Sequence, residues 1–112
     1  MNIECLEKNR NLIVKINGEI DHHTANKIKS EIEKEFLKNK SKNIIFDFSK
    51  VRFMDSSGIG IIIGRYKELK IMGGKVFAIN ISPEINRIFV LSGLKRIIPC
   101  IESIENIEEI GN

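Results

Sequence analysis

An α/β fold, with a mixed and mainly parallel sheet of about five strands packed against about four helices, follows from three features of the sequence. Short runs rich in isoleucine and valine alternate with segments whose apolar residues recur at spacings of three and four. The run Asn43-Ile44-Ile45-Phe46-Asp47-Phe48 is too continuously apolar for a half-exposed sheet, and suits a central strand covered on both faces. Glycine, proline or asparagine stands at most of the boundaries between these segments. With 112 residues the chain suits one domain, 1–112, with its own core.

The elements follow in order. Ile3 to Glu7 and Leu12 to Ile16 flank the turn formers Asn9 and Asn11, which reads as an edge hairpin. After Gly18-Glu19-Ile20, Asp21 is a candidate helix cap, and Ala25, Ile28, Ile32 and Phe36 define a first helix over about His22 to Lys38. Its lysine-rich end suits the negative pole of the helix dipole. The central strand comes next. Ser57 to Ile71 forms a second helix with Ile59, Ile62, Ile63, Tyr66 and Leu69 on its buried stripe, stopped by Gly73-Gly74. Lys75 to Ile79 is a strand, and Pro83 opens a short helix through about Leu91 that ends at Ser92-Gly93. Ile97 to Cys100 is a last strand, and Ile101, Ile104, Ile107 and Ile110 mark a final amphipathic helix. The order is ββαβαβαβα, and strands joined through helices imply right-handed parallel crossovers.

The formal charge of +3 is spread over scattered lysines, without the basic stripe that direct nucleic-acid binding needs. No apolar run is long enough to cross a membrane. Met1-Asn2-Ile3-Glu4 does not begin a secretory signal, and Cys5 and Cys100 lack metal or redox spacing and suit reduced core thiols. Together these features lead us to expect a cytoplasmic protein.

The most polar corner lies between apolar runs, at Phe53-Met54-Asp55-Ser56-Ser57-Gly58-Ile59-Gly60. It falls where a strand's exit loop enters the second helix, and the free N–H groups of a helix start favour an anion. Asp and Ser are equally the common helix caps, so capping and phosphate chemistry both fit, as do Ser56 and Ser57 as acceptors. An esterase elbow would need glycine where Met54 stands. Gly58, Gly60 and Gly64 match neither the P-loop nor the dinucleotide spacing, and Gly60 and Gly64, four apart, suit the close approach of a backbone. No cofactor motif is present. His22 and His23 are adjacent, so on a helix they point apart and make a poor metal pair. Glu19, Asp21, Asp47 and Asp55 form a candidate acidic rim around the serines.

The linked segments G-E-I-D-H-H-T-A (18–25), F-M-D-S-S-G-I-G-I-I-I-G-R-Y-K (53–67), G-G-K-V, I-S-P and L-S-G-L resemble the STAS domain family over nearly the whole chain. Within it they are similar to anti-sigma factor antagonists, particularly the sporulation branch that governs sigma factor F. The resemblance implies a STAS fold and a regulatory protein that is a kinase substrate and not an enzyme. It also implies that Ser56 is the phosphoacceptor. The partner would be an anti-sigma factor that is also a serine protein kinase, bound in its ATP or ADP state and made to release the sigma factor. A PP2C-type phosphatase would restore the serine. Glu19, Asp21, Asp55, Ser56, Ser57, Gly58, Ile59 and Gly60 are the implied partner-binding residues, with Asp21 serving equally well as a helix cap. A general-stress antagonist is the alternative within the family, and a nucleotide-binding or hydrolysing domain the alternative outside it.

Overall fold

A computed structural model describes residues 2–102. The elements are β1 (Asn2–Lys8), β2 (Asn11–Ile20), α1 (Ala25–Lys38), β3 (Asn43–Asp47), β4 (Val51–Met54), α2 (Ser56–Ile71), β5 (Val76–Ile79), α3 (Pro83–Ser92), a 3-10 turn (Leu94–Arg96) and β6 (Cys100–Ile101). The sheet thus has six strands where about five were expected, the addition being β4. The first helix begins at Ala25 and not near His22, because Asp21 to Thr24 form a turn of their own. The last strand lies slightly later than Ile97 to Cys100, and takes in Ile101. The expected terminal helix otherwise falls outside the described residues.

β1 and β2 form the antiparallel edge hairpin, turned by Asn9 and Arg10, both in the left-handed region. The main path of the sheet is β1-β2-β3-β5-β6, and every pairing beyond the hairpin is parallel. β2 is long enough to pair twice. Asn11 to Lys15 pair with β3, and Gly18 to Ile20 pair with β4 after a register shift beside Gly18. The φ of +118° at Gly18 is one that residues with a Cβ rarely adopt, so the bend requires glycine.

Strand parity divides the core. Leu12, Val14, Ile16, Ile44, Phe46, Val76 and Ala78 face one side, where they join Ile28 and Ile32 of α1, Ile61, Ile62 and Leu69 of α2, and Ile85 and Phe89 of α3. Ile13, Ile45, Phe77 and Ile79 face the other side with Ile101. Each such side chain contributes roughly 1.5–3 kcal/mol by leaving water. Phe48 meets Phe89 edge to face at 5.4 Å. On α2 the fully buried positions are Gly58, Ile61, Ile62, Arg65 and Leu69, while the expected stripe members Ile59, Ile63 and Tyr66 are half-buried against the core. The helix is apolar on so much of its circumference that the expected stripe was rotated from the buried one, sharing only Ile62 and Leu69 with it.

Two predictions come from this packing. A Cβ on Gly58 would overlap Met54 Cγ and lie 2.8 Å from Ile20 Cγ2, and both neighbours are themselves buried in the core. Gly58→Ala should therefore cost about 1–3 kcal/mol through overpacking. Thermal denaturation should show a midpoint several degrees lower, and an unchanged or higher midpoint would refute the contact. Cys5 is the second case, since burial, followed by the charges of Glu35 and Glu31, pushes its thiol up to about 11 from 9.0. At neutral pH its thiolate fraction falls on the order of 100-fold, so a disulfide reagent should label it far more slowly than in urea. Equal rates in the two conditions would contradict this.

Candidate functional site

The start of α2 is built around Asp55, whose extended backbone makes it the helix cap. Its Oδ1 accepts the Ser57 amide at 2.8 Å, and its carbonyl accepts the amides of Gly58 and Ile59. Its own amide donates to the Ile20 carbonyl at 3.1 Å, closing the end of the β2–β4 ladder. Ser56, the first helical residue, is exposed, and its hydroxyl makes no hydrogen bond among the described residues. Ser57 is half-buried. The two serines that sequence chemistry left equivalent therefore differ in accessibility.

The neighbouring loop leaves β2 at Ile20, directly opposite Met54 in the ladder, so Asp21 and Asp55 follow paired residues. Asp21 Oδ1 accepts the amides of His23 at 2.9 Å and Thr24 at 3.1 Å, and Asp21's carbonyl accepts those of Thr24 and Ala25. Thr24 Oγ1 in turn accepts the Asp21 amide and donates to the Glu19 carbonyl. Partial desolvation works to raise the Asp21 carboxyl, but the amides of Thr24 and His23, the nearby His23 charge and the Thr24 hydroxyl outweigh it and hold the carboxyl below the ordinary aspartate value. Asp21 thus braces the loop as an ionised group. Every side-chain hydrogen bond it makes falls on Oδ1.

The remaining sequence candidates fall into three groups. Glu19 is exposed opposite Phe53, which is itself 48 % exposed, and Gly60 is exposed one turn after Ser56. Ile59 is half-buried, and Gly58 is buried against Met54 and Ile20, where its missing side chain serves helix–strand approach. Asp47 does not join an acidic rim, because its Oδ1 is held by the Ser49 amide and the Asn80 side chain at the ends of β3 and β5. His22 and His23 are exposed with ring centroids 3.9 Å apart. Among the described residues no group of three or more His, Cys, Asp or Glu side chains is arranged to hold a metal.

Beside Ser57 a groove of about 420 Å³ runs between α1 and α2. Gly60 and Gly64 border it, and a Cβ on either would meet nothing within 4 Å, so no backbone closes on them as their spacing had suggested. Sequence reasoning also missed Thr24, Lys29 and Arg65. Asp21-x-x-Thr24 was the available signal for the braced turn, and Arg65 stands in register with Ile61, Ile62 and Leu69 on the buried face.

Comparison with known proteins supplies the family. The STAS domain model matches residues 2–107. The anti-sigma F factor antagonist of Paenibacillus polymyxa is 35 % identical over 88 residues, covering 79 % of this chain and 75 % of that protein. The anti-sigma-B factor antagonist of Staphylococcus aureus is 28 % identical over 95 residues, covering 85 % of this chain and 87 % of that one. Among solved structures, the anti-sigma factor antagonist SpoIIAA in its unphosphorylated form superposes with a TM-score of 0.76 at 25 % identity, over 99 % of both chains. The Bacillus SpoIIAA in its phosphorylated form gives 0.74 at 28 % identity, over 97 % of this chain and 99 % of that one. With a strand-to-helix serine corner on this sheet and a family match over nearly its whole length, the chain belongs to the STAS domain family.

Proposed function

We propose that this protein is an anti-sigma factor antagonist of the sporulation type, switched off by phosphorylation of Ser56. The observation that carries the reading is the exposure of Ser56 at a capped helix start, with its hydroxyl unengaged among the described residues while Ser57 is half-buried. The unphosphorylated protein binds an anti-sigma factor that is also a serine kinase, in its ATP- or ADP-bound state, and makes it release sigma factor F. A PP2C-type phosphatase reverses the modification, and the cycle runs in the cytoplasm. Identities of 35 % and 34 % to two anti-sigma F antagonists, against 28 % to the anti-sigma-B antagonist, favour the sporulation partner over the general-stress one.

The chemistry is a change of charge at a contact. Phosphorylation replaces a neutral hydroxyl with a group carrying about −1.5 to −2 charges and three strong acceptors. The helix N-terminus favours that charge, whereas the Asp55 carboxylate beside it opposes it. Ser56 points away from the core, so bulk and charge fall on the partner. Glu19, Asp21, Asp55, Ser57, Ile59 and Gly60 make up the rest of the binding surface, with Gly58 seating the helix on Met54 and Ile20.

Incubation with the cognate kinase and ATP, followed by intact-mass analysis, should add one phosphate to the wild type and to Ser57→Ala but none to Ser56→Ala. Equal uptake by wild type and Ser56→Ala would sink the assignment. The phosphorylated protein should keep its far-ultraviolet circular dichroism. Asp21→Arg should weaken binding at least tenfold, and a compensating basic-to-acidic change in the partner should restore it. A loss that no partner change rescues, together with a lower melting temperature, would assign Asp21 to loop bracing alone.

A further inference from the structure

The groove between α1 and α2 has a composition that the serine switch does not use. One wall carries His22 of the turn before α1 and Lys29 of α1, the α2 wall carries Ser57, Gly60 and Gly64, and Arg65 closes it. No carboxylate lines it, and Lys29 forms no ion pair among the described residues. Arg65 is only 7 % exposed. Its Nη2 donates to Glu68 at 2.7 Å and its Nη1 lies 3.5 Å from Glu33, but Nε and Nη1 are buried without a hydrogen bond. Buried donors left without acceptors are unfavourable, and a group that supplied one would be held.

We propose that this groove receives an acidic segment of the anti-sigma factor, whose carboxylate pairs with Lys29 and whose backbone or side-chain acceptors reach Arg65. The inference rests on the partner-binding reading above and extends it from the serine corner along α2. Three features select such an occupant. Arg65 is already paired with Glu68 and Glu33, but Lys29 is a cation unpaired among the described residues, in a lining without carboxylates, which favours an acidic guest and opposes a basic one. Gly60 and Gly64 are one helical turn apart, so their open Cα atoms leave a continuous strip for a chain to lie against. Ser57 belongs both to the serine corner and to the groove wall, so a partner seated over Ser56 is already at the groove's mouth.

Lys29→Glu and Gly64→Leu test the two halves of the proposal, charge and space. Neither should lower the melting temperature, because Lys29 is exposed and a Cβ at residue 64 meets nothing within 4 Å. Titration calorimetry with the nucleotide-bound anti-sigma factor should show at least a tenfold loss of affinity for each. An acidic-to-lysine change in the partner should restore Lys29→Glu and leave Gly64→Leu impaired. If the wild type binds and both variants bind within twofold of it, the groove is not a contact and this inference alone falls. If the wild type itself fails to bind, the partner-binding reading falls and takes this one with it. ATP or GTP binding by the isolated protein that Lys29→Glu abolishes would make the groove a nucleotide pocket and overturn the proposal.

Discussion

The site exists because β4 pairs with the far end of β2. A ten-residue strand beside a five-residue neighbour would end as an open edge of unpaired amides and carbonyls. The chain meets this by leaving β3, turning at Ser49 and Lys50, and laying Val51 to Met54 along Gly18 to Ile20. The Asp55 amide then takes the Ile20 carbonyl, and the two loops beyond the paired ends are fixed side by side. Had β2 stopped with β3, Asp21 and Ser56 would share no reference frame. The arrangement also follows the general placement of sites in parallel sheets, at the carboxyl ends of strands.

Much of this was legible where one local signal was strong. The run Asn43 to Phe48 announced a central strand, and Pro83 and Gly93 bounded α3 because each meets a demand of helix ends: a fixed φ and a left-handed exit. β4 was hidden for a physical reason. Val-Arg-Phe-Met neither alternates nor stays apolar, and its burial runs buried, exposed, exposed, buried, because β2 shifts register opposite it. The start of α1 was misplaced because Asp21 caps a turn that precedes the helix. Arg65 was missed although it stands in register with Ile61, Ile62 and Leu69, because a charged side chain reads as solvated and one of its two carboxylate partners, Glu33, lies on α1.

The choice between Ser56 and Ser57 shows where local chemistry ends. Both hydroxyls fit an anion-favouring helix start, and only the family resemblance named Ser56 from sequence. The capping geometry supplies an independent reason. Asp55 binds the Ser57 amide, and on the helix start so fixed Ser57 borders the groove beside α1 while Ser56 is exposed. That cap hydrogen bond, of a kind worth about 1 kcal/mol in helix stability, fixes the helix start on which Ser56 is exposed and Ser57 half-buried.

A charge switch works best on a platform that does not yield to it. The Asp21 loop is held by hydrogen bonds among five residues, Glu19, Asp21, His23, Thr24 and Ala25, and α2 is seated by Gly58 on Met54 and Ile20. An added phosphate at Ser56 meets Asp55, which repels it, and the helix dipole, which offsets that repulsion by about 0.3–1 kcal/mol. With these two local terms opposed, little net force is left to move the fold. The unbalanced part acts across the proposed contact surface, where a partner that matched a neutral hydroxyl meets added bulk and a charge of about −1.5 to −2. In the proposed switch the fold's rigidity is thus what converts a small covalent change into a large difference in affinity.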